Sequence, residues 1–176
     1  MWYTGYMPTN TDLAYLAGLI DGEGCLRVKR LQPYRHLTGR INPAYSCTMH
    51  VRMVDEPAIA FLRDTLGGWG WREKTAHCAS GRPLYCWQAT DADAERIIRA
   101  LLPYFRVKRA QAENLLALRA LQSERQKHRT KVTGYRNFPN SYGTPRRVAN
   151  KGYSDEYIAA CDTLFERSKA LNHGAA

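Results

Sequence analysis

The stretch LAYLAGLIDGEG, residues 13–24, is an apolar run that stops abruptly at Asp21-Gly22-Glu23-Gly24. Leu13, Leu16, Ala17 and Ile20 fall at helical spacing, and the other side, with Ala14, Gly18 and Leu19, is apolar or small as well. A helix that is apolar all round must be buried on all sides. Ala14 and Gly18, four residues apart, would let another backbone approach closely. Asn10, Thr11 and Asp12 can cap its start. The far end is the puzzle. The helix macrodipole concentrates partial negative charge there, so each acid is unfavourable by roughly 0.3–1 kcal/mol. Either a cation offsets that charge, or the stretch is a simple helix stop with Gly22 just past its end and incidental acids.

Beyond residue 24 the period changes to two. Leu26 and Val28 alternate with Arg27 and Lys29, and Tyr45, Cys47, Met49, Val51 and Met53 alternate with Ser46, Thr48, His50 and Arg52. This is the pattern of a half-buried antiparallel strand pair. Asp55-Glu56-Pro57 opens a second helix, which Gly67-Gly68 stops. Residues 69–77 read as a third strand, with Trp69 and Trp71 on the core side and Arg72 and Lys74 on the polar side. Residues 84–90 read as a fourth. Asp91 can cap a third helix that Pro103 ends, and a further helix runs from about Val107 to Gln122. The order αββαββα plus a helix predicts an α+β core, residues 1–124, with helices on one face of an antiparallel sheet. Its other face would carry Arg27, Lys29, Ser46, Thr48, His50, Arg52, Arg72 and Lys74.

The chain has 176 residues and a net charge of +10, an excess that points to a polyanionic partner. Its 44% hydrophobic content excludes a disordered protein. No apolar run reaches the ~20 residues of a membrane span, and no signal peptide is read, so no membrane role is expected. Five cysteines without export suggest reduced thiols in an intracellular protein. His77, Cys78 and Cys86 form no zinc pattern, because no CxxC pair exists. Residues 125–151 hold eight basic residues, among them Arg146, Arg147 and Lys151, and no acid, which leaves 18 basic against 16 acidic residues elsewhere. Residues 125–153 therefore read as a basic extended arm lying along phosphates, or as a linker. Ser154 then caps an amphipathic helix within residues 154–176.

LAGLIDGEG, Leu16 to Gly24, resembles the motif that names the LAGLIDADG homing endonucleases, with seven of nine letters in agreement and Gly22 and Glu23 in place of Ala and Asp. The order αββαββα is similar to that family's unit, a saddle-shaped four-stranded antiparallel sheet with C-terminal helices following. LLPYFRVKRAQA, residues 101–112, looks like the family's segment after the sheet, where a lysine commonly sits near the scissile phosphates. The resemblance covers residues 10–122. It implies that two motif helices pack side by side and bring their last acids together over the DNA minor groove to bind divalent metal.

Carried onto this sequence, the resemblance makes Glu23 and the Gly22 backbone carbonyl the metal ligands, Mg²⁺ or Mn²⁺ the cofactor, and Asp21 a structural acid tying down the turn. It makes Glu23 and Lys108 candidate catalytic residues, to which Arg52, on the polar side of the second strand, adds a candidate cation. A glutamine that some members place near the end of the second strand is absent; His50, Arg52 and Met53 stand there instead. A single motif implies a homodimer, with Leu13, Ala14, Ala17, Gly18 and Asp21 at its interface, on double-stranded DNA of roughly palindromic sequence. The basic sheet face, with Arg146, Arg147 and Lys151, would bind the DNA. The implied function is site-specific double-strand cleavage that leaves short 3′ overhangs. The rival readings are a non-cleaving DNA-binding regulator and an RNA-binding intron maturase. A free glutamate near phosphates, together with Lys108, argues against the first.

Overall fold

The computed structural model describes residues 7–32, 42–77, 81–130, 135–139, 145–149 and 152–174, with residues 75–77, 135–139 and 145–149 described by backbone alone. Cys78, Lys151 and most of the connection between the first two strands lie outside the described residues.

Helix α1 spans Asn10–Glu23. Its cap is Thr9, one residue before those expected: the Thr9 hydroxyl accepts from the Asp12 amide while the Asp12 carboxylate accepts from the Thr9 amide. Neither Gly22 nor a left-handed residue ends it. The helix runs through Glu23, and Gly24 follows in extended conformation as the first residue of β1 (Gly24–Leu31). Only glycine fits there. A side-chain carbon at residue 24 would lie 2.5 Å from the Ile20 carbonyl oxygen and 2.8 Å from Ile20 Cγ2.

Strand β2 (Ala44–Met53) leads to α2 (Glu56–Leu66), whose N-cap Asp55 accepts from the Ala58 amide. β3 (Trp69–His77) and β4 (Pro83–Thr90) follow, then α3 (Asp91–Leu101) and α4 (Arg109–Ser123). The sheet order is β1-β2-β4-β3, all antiparallel. Asp91 does not cap α3. It is the first helical residue, at φ 46°, and its carboxylate accepts instead from the Cys47 amide and the Ser46 hydroxyl, tying α3 to β2 just beyond its last pair with β4.

One sheet face turns Leu26, Val28, Met49, Val51, Trp87 and Ala89 onto Leu16, Ala17 and Ile20 of α1, Leu62 and Leu66 of α2, Ile97, Ile98 and Leu101 of α3, and Leu115 and Leu118 of α4. Fully burying each such side chain stabilises the fold by about 1.5–3 kcal/mol. The largest, Trp87, also satisfies its indole N–H at the Gly67 carbonyl.

The expected arm or linker, residues 125–153, is described only in part. A 3₁₀ turn at Arg125–His128 precedes an antiparallel hairpin, β5 (Tyr135–Pro139) against β6 (Pro145–Ala149). The excursion is closed at its base. The Thr130 amide bonds the Gly152 carbonyl, the Ser154 amide bonds the His128 carbonyl, and Arg129 bridges Tyr153. Residues 128–130 and 152–154 therefore meet at one place.

Helix α5 (Asp155–Asn172), capped by Ser154 as expected, then packs on α4 and on the outer edge of β1. The Ser168 hydroxyl accepts from the Val28 amide and Asn172 Nδ2 donates to the Leu26 carbonyl, so side chains pair the open edge of β1. No helix among the described residues is long and apolar enough to cross a membrane.

Candidate active site and nucleic-acid face

The last turn of α1 contains no basic residue. Asp21 and Glu23 both lie in it, on different faces, and fare differently. Asp21 is buried, 9% exposed. Its Oδ2 accepts from the amides of Arg106 (2.7 Å) and Val107 (3.1 Å), and its Oδ1 from the amide of Lys108 (2.8 Å). Burial opposes ionisation, but those three amides and the nearby Lys108 ammonium outweigh it, and the carboxyl is held below its ordinary value of 3.8. Asp21 is thus the structural acid, and what it ties down is residues 106–108, far away in sequence. The same contact delivers Lys108, whose ammonium donates to the Asp21 backbone carbonyl. A cation therefore does sit at the negative end of the helix, and it comes from 87 residues downstream.

Glu23 is exposed at the helix end. Gly22, also exposed, contributes one of the last four carbonyls of α1, which have no partner within the helix. The Glu23 carboxylate and the Gly22 carbonyl are hard oxygen donors, and the Lys108 ammonium at the same helix end is a cation suited to an anionic ligand. Such oxygens suit Mg²⁺ or Mn²⁺. Among the described residues no group of three or more His, Cys, Asp and Glu could hold a metal.

Of the expected interface residues, the structure separates two kinds. Ala17 is fully buried in the chain's own core and Asp21 is engaged with residues 106–108; Leu13 is half-buried against that core. Ala17 and Asp21 therefore face inward. Ala14 and Gly18 are exposed, and with Thr11, Tyr15 and Gly22 they make a stripe along α1. A side-chain carbon on Gly18 or Gly22 would meet nothing within 4 Å. The helix is apolar all round, yet within one chain only one side of it is covered.

The second sheet face carries Arg27, Lys29, Ser46, Thr48, His50 and Arg52, as expected. Arg27 and Arg52 are exposed and Lys29 and His50 partly so. Burial, and then the Arg27 guanidinium, push the His50 imidazole below its ordinary 6.5. Ser46 is taken up by Asp91, and Thr48, 1% exposed, lies buried between Arg27 and Thr90 in the strand pairing.

Strand β3 is reversed from expectation. Arg72 pairs with Tyr85 and lines the groove with Glu56 and Ile59 on the helix side, whereas Trp69, Trp71 and Glu73 stand on the face with His50 and Arg52. Trp69 is 71% exposed. Tryptophan in an alternating strand reads as core, but β3 is an edge strand and its indoles face outward. Lys74 lies where the β3–β4 register shifts. Arg146 and Arg147 fall on β6, known by its backbone, and Lys151 lies outside the described residues. The sequence reading missed Glu73, Cys86, Gln88 and the two tryptophans on this face. The signal available for Glu73 was its alternation with Trp71, once β3 is recognised as an edge.

A four-stranded antiparallel sheet with helices packed on one face, and an opposite face whose charged residues are Arg27, Lys29, Arg52 and Glu73, is an α+β architecture. This is the fold of the LAGLIDADG homing endonucleases. The homing endonuclease I-CvuI, solved in complex with its target in the presence of calcium, matches 92% of this chain and 82% of its own at a TM-score of 0.61 and 17% identity. The archaeal intron-encoded homing endonuclease I-Vdi141I, complexed with DNA, matches 94% and 93% at a TM-score of 0.63 and 11% identity. The I-LtrWI LAGLIDADG homing endonuclease bound to target DNA matches 95% of this chain and 47% of its own at 0.60 and 13%. The likeness is one of fold. No family model matches the sequence, and no curated relative does.

Proposed function

We propose that the chain is a site-specific double-strand DNA endonuclease that works as a homodimer across the minor groove. The observation that carries this reading is the end of α1: an exposed Glu23 beside a bare carbonyl, with Lys108 fixed next to it by the buried Asp21. Nothing in packing or capping calls for Glu23. A second copy of α1 laid on the exposed stripe would bring in a second Glu23 and complete the shell. Glu23 and the Gly22 carbonyl would hold Mg²⁺ or Mn²⁺, which when bound supplies Lewis-acid activation for phosphodiester hydrolysis. Lys108 offers its ammonium to charge developing on the phosphate, and Arg52 contributes a second cation from β2. Arg27, Lys29 and His50 would contact base edges and phosphates of a roughly palindromic target, and the basic hairpin with Arg146, Arg147 and Lys151 would lie on phosphates.

The test is metal-dependent cleavage of a randomised duplex library, read by sequencing the cut ends. Paired cuts at a recurrent, near-palindromic site support the reading. Tight duplex binding without cutting makes the chain a regulator, and preference for a transcript makes it a maturase.

Two glycines separate assembly from folding. Gly24→Ala forces a carbon to 2.5 Å from a backbone oxygen, and overpacking of this kind costs about 1–3 kcal/mol. Its thermal midpoint should fall by about 2–10 °C. Gly18→Leu meets open space within the chain, so the fold should persist while the dimer splits. Light scattering and thermal denaturation of both variants check this. A Gly18→Leu chain that remains dimeric would place the interface elsewhere.

A further inference from the structure

Arg52 does not stand alone on the sheet face. Its Nη2 lies 2.5 Å from Glu73 Oε2, and the other oxygen of that carboxylate, Oε1, accepts from Cys86 Sγ at 3.1 Å. Cys86 is fully buried and sits directly across from Arg52 in the β2–β4 pairing and from Trp71 in the β3–β4 pairing. The β1–β2 ladder ends at the pair Gly24–Val51, so Arg52 follows that last pair, at the end of the sheet to which α1 delivers Glu23.

Glu73 is out of place on a face built for phosphates, since it repels them. Among the described residues it is the one acid in the strands of that face. Stability does not explain it, because exposed ion pairs contribute little. Its geometry does. One carboxylate oxygen is fixed by a side chain anchored in the sheet, which leaves the other directed at a single guanidinium nitrogen. A guanidinium held through one corner presents its remaining N–H groups in a fixed fork, ready for a second anion. Burial, followed by Glu73, pushes the Cys86 thiol up to about 12, so it stays a donor at neutral pH.

We propose that Glu73 and Cys86 are positioning residues for Arg52, fixing its guanidinium toward a backbone phosphate beside Glu23 and lowering general DNA affinity in doing so. This rests on the endonuclease reading.

The experiment compares single-turnover cleavage and DNA dissociation constants for the unaltered chain, Arg52→Ala, Glu73→Gln, their combination, Cys86→Ser and Cys86→Val. Arg52→Ala and Glu73→Gln should each slow cleavage by about 10–100-fold, the loss typical of a misplaced catalytic group. The combination should be no slower than Arg52→Ala alone, because both changes act through one guanidinium. Glu73→Gln should bind DNA as tightly as the unaltered chain or more so, a split between rate and affinity that a structural defect would not produce. Cys86→Ser keeps a donor and should restore most of the rate that Cys86→Val loses. Should Cys86→Val fail to fold, Glu73→Gln carries the test, since its side chain lies at the surface. A Glu73→Gln chain that cuts at the unaltered rate, or losses that multiply in the combination, would overturn the positioning role alone. An unaltered chain that cuts no duplex overturns the endonuclease reading and this proposal with it.

Discussion

Glu23→Gln should bind the selected duplex as tightly as the unaltered chain and cut it at least about a thousandfold more slowly, since the metal supplies several kcal/mol of charge stabilisation. The amide keeps the shape of the side chain and loses the charge that a hard cation requires. Affinity survives because it comes from phosphate and groove contacts on the sheet, away from residue 23. Metal-free stability should hold or rise slightly, by roughly 0.3–1 kcal/mol, because a negative charge has left the negative end of α1. The measurement is nicking at saturating protein and Mg²⁺, with thermal denaturation in chelator alongside. Cutting at a near-unaltered rate would make α1 a packing helix with an awkward end and move the chemistry elsewhere.

Asp21→Asn should be the most destabilising single change at the site. Both carboxylate oxygens accept from backbone amides, and an asparagine would turn an NH₂ toward one of them. Hydrogen bonds to a charged group are worth about 1.5–3 kcal/mol each, and a buried amide left unpaired adds its own penalty, so a loss of about 2–4 kcal/mol is expected. The pH dependence has a definite sign. The folded-state pKa lies below the ordinary 3.8, so the unfolded chain takes up this proton first as pH falls. The stabilisation is therefore complete above pH ~4 and is lost below it as pH drops through the lowered value. Denaturation profiles between pH 7 and 2 should show the unaltered chain losing more stability below pH ~4 than the Asn variant does. Cleavage by the variant should also fall at neutral pH, because Lys108 is held through the same contact. Equal acid sensitivity in both chains would show that the three amides do not stabilise ionised Asp21.

The parts of this structure that were legible in the sequence are those set by neighbours along the chain. The period of four in residues 13–20, the period of two in residues 24–31 and 44–53, and the caps Asp55 and Ser154 each announce themselves within a few residues. Asp21 and Glu23 could be told apart by the resemblance, but the partners of Asp21 could not be named, since residues 106–108 meet it only after the sheet has formed. Asp91 reads as a cap by composition and is drawn instead to the stretch of β2 beyond its last pair with β4, a choice made by tertiary contact. Bulk and hydrophobicity place Trp69 and Trp71 in the core; that β3 is an edge strand depends on the sheet order, which no local pattern records. The hairpin in residues 135–149 is hidden for another reason. Its first strand ends in Pro139, its second begins with Pro145, and the two carry three arginines, a composition that reads as unpaired backbone.

The pairing of α5 with β1 sets an order of events during synthesis. Val28 waits for Ser168 across 140 residues and Leu26 for Asn172 across 146, so the first strand of the sheet is among the last to have its outer hydrogen bonds filled. Contacts that distant slow folding, because a long loop must close before they form. While the ribosome is still making residues 155–172, the emerging chain carries a bare strand edge that is free to pair with a neighbouring nascent copy. Loss of residues 155–172 should therefore leave β1 an open edge prone to pairing between chains.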